Sequence, residues 1–404
     1  MISASLSPNT EKDDVLLALK TMLTPWQWKA GKNLVKVKAW FKSYFSGQEA
    51  VLFNSGRSAE LAIFKAFGIG EGDEVLVQAF TCVAVPNSVI RAGARPVFAD
   101  VDETLNIDPN SLESKISAKT KAIIVQHTFG IPAQMDKLVN LARRHRLILV
   151  EDCAHSLGAT FHGQRVGTFG DAAFFSFGRD KVLSSVFGGA AIIKSNLKNQ
   201  ISKIKQYQED LSYPSRFWIF QQLLHPIAFS VILPLYDVII GKLLLVLWQK
   251  LGLLSLPVYP QEKQGQLPRD FPAKYPAALA SLLWQQLGKL ERYNRMRRET
   301  ADFYRKKLTA GRKAKVVPDI DGAIYLRFPV EMQNPDRIRL KAKNAGILLG
   351  NWYHRVIDPD GVDFRCIGYH PGTCPKAEAK AATIVNLPTL LTLRQAERVT
   401  SVLL

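Results

Sequence analysis

The stretch 150–193, VEDCAHSLGATFHGQRVGTFGDAAFFSFGRDKVLSSVFGGAAII, constrains the fold more than any other part of the chain. An apolar strand, Leu147 to Val150, runs into two carboxylates, Glu151 and Asp152. A second apolar strand, Ala172 to Phe177, is followed by Lys181 and then by Gly188-Gly189. Acid groups at the carboxyl end of a parallel-type strand point into the crevice where open α/β sheets bind ligands. A lysine just past the next strand faces the same crevice.

Upstream, strands and helices alternate. Asp14–Leu23 reads as a first helix after a polar, loosely ordered start at residues 1–14. Apolar residues at helical spacing with lysines between predict an amphipathic helix over Asn33–Phe45. A strand at Ala50–Phe53 leads through the turn Asn54–Ser58 into a helix over Ala59–Phe67. The free N–H groups and dipole of such a helix start favour an anion; the plainer reading is a well-capped helix. Strands follow at Glu74–Gln78, Pro96–Ala99 and Lys121–Gln126, with helices over Phe80–Ala92 (carrying Cys82), from Leu112 and over Met135–His145. The alternation predicts a mainly parallel sheet with helices on both faces.

The pairing of Asp152 with Lys181 suits pyridoxal phosphate, which needs a lysine for its aldehyde and an acid to keep its ring nitrogen protonated. Spacing alone leaves open a solvated lysine and a helix-capping aspartate. The net charge of +18, from 53 Lys+Arg against 35 Asp+Glu, favours an anionic partner: a phosphorylated substrate, an acidic membrane surface or nucleic acid. Basic residues are spread along the chain and no zinc-finger or RNA-binding motif is present, so nucleic acid is not expected. Cys82, Cys153, Cys366 and Cys374 form no CxxC and read as reduced thiols of a cytosolic protein. The N-terminus does not read as a secretory signal.

Several motifs then occur in order: EVLVQAFTCVAVPNSVIRAGARPVFADVDETLNID, KAIIVQHTFGIPAQMDKLVNLARRHRLILVEDCAHSLGA, VGTFGDAAFFSFGRDK, the long-helix segment 277–308, AGILLGNWYHRVI and CPKAEAKAATIVNLPTLLTLRQAERV. Together they resemble the DegT/DnrJ/StrS-type sugar aminotransferase family. The resemblance implies a fold-type-I, aspartate-aminotransferase-like pyridoxal-phosphate enzyme, with a large domain over 31–212 after an N-terminal segment 1–30. A long helix and a small C-terminal α+β domain occupy 261–404. It implies Lys181 as the lysine that carries the cofactor and moves the substrate proton, and Asp152 as the partner of the pyridinium nitrogen. Ser176, Gly56 and Arg57 fall at the cofactor phosphate, and His155 beside the ring.

The chain departs from the family in three places: Arg57 stands for the usual Thr, Cys82 for the aromatic residue over the ring, and Arg269 for the Asn of a loop that reaches the neighbouring subunit's phosphate. The activity implied is transfer of an amino group from glutamate or a similar donor to a nucleotide-linked keto sugar, by a homodimer. The alternative is a non-catalytic or regulatory sugar-binding member of the fold.

The segment 213–260 departs from the family altogether. It is strongly apolar, but Asp237 and Lys242 lie near its middle, and Pro226, Pro234 and Gly241 are expected to break it. A single membrane crossing would also separate Lys181 from the C-terminal residues that complete the site. The expectation is a helical hairpin that docks on a membrane surface, with Arg216, Lys242 and Lys250 meeting lipid phosphates, or else packs on a partner subunit.

Overall fold

The computed structural model describes residues 1–236, 239–311 and 314–403; Asp237 lies outside the described residues. Its centre is a seven-stranded sheet: β1 (Glu49–Phe53), β2 (Glu74–Gln78), β3 (Arg95–Ala99), β4 (Thr120–Gln126), β5 (Ile148–Asp152), β6 (Ala172–Ser176) and β7 (Gly189–Ile193). The order is β1-β7-β6-β5-β4-β2-β3, and only β7 runs against its neighbours. This is the expected α/β architecture of fold-type-I pyridoxal-phosphate transferases.

Side chains alternate between the two faces along each strand. Val51 and Phe53 of β1, Val150 of β5 and Phe174 of β6 join one core. Leu52, Ala173 and Phe175 join another, and Ile123, Val125 and Leu149 a third. Because both faces are buried, these strands read as continuous apolar runs. The principal helices are α1 (Lys12–Met22), α2 (Lys32–Tyr44), α3 (Gly56–Phe67), α4 (Ala84–Ala92), α5 (Met135–His145), α6 (Lys198–Asp210), α7 (Arg216–Ile232), α8 (Ile240–Lys250), α9 (Ala277–Leu287) and α10 (Leu290–Gly311). Beyond α10, the antiparallel strands Lys315–Val316, Arg327–Glu331 and Ile384–Pro388 form a second, three-stranded sheet flanked by helices.

Three expectations are corrected. Cys82 is not helical: Thr81–Cys82 pairs in parallel with Ile357–Asp358. Phe80, at φ 65°, turns the chain into that pairing, so α4 starts only at Ala84 and keeps Pro86 in its tolerant first turn. The N-terminal residues are ordered. Ile2–Ser3 pairs with Ile347–Leu348, and buried Asn9 donates to the carbonyls of Lys181 (3.1 Å) and Val182 (3.3 Å). In the insertion, Pro226 sits inside α7 without ending it, and Gly241 sits inside α8. Gly241 permits close packing: a Cβ there would lie 2.3 Å from the Ile232 carbonyl oxygen of α7. Among the described residues, no helix is long and apolar enough to cross a membrane.

The contact at Ile357–Asp358 carries a pH-dependent element. His354 Nδ1 lies 2.8 Å from Asp358 and Nε2 lies 2.7 Å from Asp360. The hydrogen bond to Asp358, with help from Asp360, raises the imidazole pKa to about 9. A raised folded-state pKa contributes stability that is fully present below the unfolded value near 6.5 and is lost as pH rises through about 9. His354→Gln is therefore expected to lower the melting temperature at pH 6 and to match the parent protein above pH 9; an equal deficit at both pH values would contradict the ion-pair account.

Candidate active site

Two adjacent acids at the end of β5 face opposite ways, as strand alternation requires. The Glu151 carboxylate accepts from the backbone N–H groups of Gly167 (2.7 Å), Phe169 (2.8 Å) and Gly170 (2.8 Å), and lies 3.1 Å from His127 Nε2. It organises a loop on the far side. Asp152 instead lines a pocket on the other side, together with Lys181. Asp152 is buried, and burial raises its pKa to about 6 against the opposing pull of the Ala154 N–H and Lys181. The Ala154 N–H bond is 2.9 Å long.

The pocket encloses about 770 Å³ of space not filled by atoms, part of it open to solvent. Gly56, Arg57, Cys82, His155 and Ser176 also line it, so seven of the eight residues singled out in the sequence converge there. The eighth, Arg269, is exposed and does not line the pocket of its own chain.

Lys181 Nζ lies 2.8 Å from His155 Nε2 and 5.1 Å from the Trp352 ring centre. Burial lowers the lysine pKa, and burial pushes His155 well below its ordinary value. The neutral imidazole accepts at Nδ1 from the Phe129 N–H (3.4 Å). The ring proton is therefore assigned to Nε2, the atom that faces Lys181 Nζ. His155 forms a triangle of rings with Phe129 and Tyr353, at interplanar angles of 12° and 26° to them, and those two rings are themselves 5.7 Å apart.

At the other end, α3 begins at Gly56 with Ser55 as its N-cap, and Ser55 Oγ accepts from the Ser58 N–H. A Cβ on Gly56 would meet Ser176 Cβ at 2.9 Å, so backbone and hydroxyl close on one another only because the residue is glycine. Gly56→Ala is expected to cost about 1–3 kcal/mol through overpacking, seen as a lower melting temperature and as weaker pyridoxal-phosphate uptake in a fluorescence titration. Unchanged uptake would mean that this helix start does not hold the phosphate.

Arg57 does not point outward. Its guanidinium donates to the buried Glu262 carboxylate and to the Pro257 carbonyl (2.9 Å), and lies 4.9 Å from the Phe271 ring centre. Pro257 and Val258, at the end of the insertion, line the pocket, and Glu262 lies just past the insertion. Arg179 donates to Ser255 of the same segment. Burial pushes the Cys82 thiol up to about 11, so it sits in the wall as a protonated thiol.

Sequence reasoning missed Glu60, Trp352 and Tyr353, all of which line the pocket. Glu60 is one helical turn after Gly56, on the same face of α3, and that spacing could have found it. It is fully buried, Oε1 has no hydrogen-bond partner, and burial together with nearby Asp152 raises its pKa well above the ordinary carboxylate value. The aromatic pair arrives from the distant segment 345–357, for which strand and helix periodicity gives no signal.

The pocket has what pyridoxal phosphate requires: an acid for the ring nitrogen, a buried lysine whose pKa burial lowers, and a helix start with a neighbouring hydroxyl for the phosphate. Comparison with known proteins agrees. The sequence profile of the DegT/DnrJ/EryC1/StrS aminotransferase family matches residues 9–213 and 270–403. The chain belongs to this family. As a DegT/DnrJ/EryC1/StrS aminotransferase it is a pyridoxal-phosphate-dependent enzyme.

The segment between the two matched regions, 214–269, holds α7 and α8. The chain is 27% identical over 401 residues to a pleiotropic regulatory protein of Geobacillus stearothermophilus, covering 96% of this chain and 92% of that one. It is 36% identical over 219 residues to the GDP-perosamine synthase of Caulobacter vibrioides, covering 54% of this chain and 58% of that enzyme. The crystal structure of an aminotransferase from Psychrobacter cryohalolentis shares the fold, with a TM-score of 0.75, 22% identity and coverage of 98% and 96% of the two chains.

Proposed function

We propose that this aminotransferase moves an amino group from glutamate or a similar donor to a keto sugar carried on a nucleotide, for the biosynthesis of a polysaccharide, glycolipid or related product. It acts as a homodimer in the cytoplasm, at the inner face of a membrane. The observation that carries the catalytic part is the convergence of Lys181, Asp152 and the α3 start in one pocket. The GDP-perosamine synthase relative supports a nucleotide-linked acceptor, as does the net charge of +18.

Bound pyridoxal phosphate supplies an electron sink for the substrate carbon that loses or gains a proton. Asp152 holds the positive charge of the ring nitrogen. Gly56 and Arg57, through their backbone N–H groups, and Ser176, through its hydroxyl, hold the phosphate. Lys181 Nζ carries the cofactor and, when released, moves the proton at the substrate carbon. His155 orients that amine through Nε2, and Cys82 packs in the wall beside the ring. Arg269, exposed on its loop, supplies positive charge to the phosphate of the partner subunit.

The test is to incubate the purified protein with glutamate and a panel of GDP-, UDP- and dTDP-linked keto sugars, and to follow amino-sugar formation by mass spectrometry. Amination of one member supports the reading. A second reading, a regulatory sugar-binding protein, is favoured by the nearly full-length match to the Geobacillus regulator. Tight binding of a panel member, with no loss of the cofactor's yellow colour on adding any amine donor, would favour that reading instead.

A further inference from the structure

We infer that the outer face of α8 is a docking surface for an anionic lipid bilayer. The inference gives a surface to the membrane location proposed above, but its readout is vesicle binding and does not depend on turnover. Apart from Lys242, Gln249 and Lys250, the helix is apolar. Its inner face, with Leu244, Leu245 and Trp248, packs on Ala228, Phe229 and Ile232 of α7, and Gly241 brings the two helices together. Its outer face carries Ile240, Leu243, Val246 and Leu247, continued at the ends by Ile239 and Leu251, each 49–64% exposed. These residues recur at helical spacing, so they form one continuous apolar stripe.

Charge selects the occupant. Lys242 and Lys250 stand beside the stripe on the same helix, which has no acidic residue. The whole segment 214–269 has five Lys/Arg (216, 242, 250, 263, 269) against Asp237 and Glu262, a net +3 within a chain of +18. A symmetric contact with a second copy brings like-charged rims together. An anionic lipid surface attracts the same lysines while the stripe enters the headgroup boundary. The family profile skips this segment, so the conserved fold does not account for the exposed stripe. Docking also places the chemistry: six residues lie between Lys250 and Pro257 of the pocket wall, a span of at most about 25 Å.

The experiment uses the full chain loaded with pyridoxal phosphate. It is floated with vesicles of phosphatidylcholine alone, or of phosphatidylcholine and phosphatidylglycerol in equal parts, at low and high salt. Binding is expected to the anionic vesicles at low salt, reduced by salt. The double variant Leu243→Glu/Leu247→Glu is expected to bind roughly tenfold less. Leu340→Glu, at an exposed leucine on the helix Pro335–Asn344, is expected to bind like the parent. Retained yellow colour and an unchanged circular dichroism spectrum show that each variant is folded. Absence of flotation, equal binding to both vesicle types, or equal binding by the double variant would each overturn the inference. So would dissociation of a dimer into monomers by the double variant in sedimentation, which would assign the face to a second copy.

Discussion

Lys181→Ala is expected to purify without the yellow colour of lysine-held pyridoxal phosphate and to lose amination by on the order of 10⁴-fold or more. Lys181 supplies the only primary amine among the residues lining the pocket; Arg57 and Arg179, the other basic side chains there, are tied to Glu262 and Ser255. The amine is suited to the task because its burial favours the neutral form, which is the nucleophilic one. His155, held well below its ordinary pKa by burial, does not compete with it for a proton. The fold should survive the substitution, since the loop is held by the Asn9 side-chain amide donating to the backbone carbonyls of residues 181 and 182 and by the buried Arg327–Asp180 ion pair. Absorbance and single-turnover assays check the result. An alanine variant that kept both colour and turnover would remove Lys181 from the chemistry.

Asp152→Asn is expected to fold and to bind the cofactor through the phosphate end, yet to lose roughly 10²–10³-fold in kcat. The amide oxygen can still accept from the Ala154 N–H, so the local cap is kept. What disappears is the negative charge beside the ring nitrogen, in a buried setting where a charge acts strongly on its neighbour. The substitution therefore separates the two roles that the sequence left open for this residue. If the cap is the whole role, turnover at saturating donor stays near that of the parent; if the charge matters, only turnover falls. Cofactor affinity measured alongside kcat distinguishes this from simple loss of binding.

The sheet was legible because strands buried on both faces are written as uninterrupted apolar runs, and because β5 and β6 end in residues with no apolar purpose: Asp152, Ser176 and then Lys181. The site was legible where its parts follow strands directly. It was not legible where tertiary contacts decide. Cys82 lies in a segment that reads as helical but is claimed by a two-residue pairing from Ile357–Asp358. Polar Ser7 and Asn9 look solvated in sequence, yet they are buried because their bonds go to His225 and to the Lys181 loop. Arg57 has no sequence neighbour to explain it, since its acidic partner is 205 residues away.

That long-range ion pair has a bearing on how this aminotransferase can be shortened. Excising 214–269 as one block would take Glu262 with it and strand a guanidinium at the edge of the cofactor cavity, while also removing Pro257 and Val258 from its wall. A trimmed protein that keeps its catalytic chamber sealed must cut nearer the hairpin's tip and leave the returning strand of chain in place.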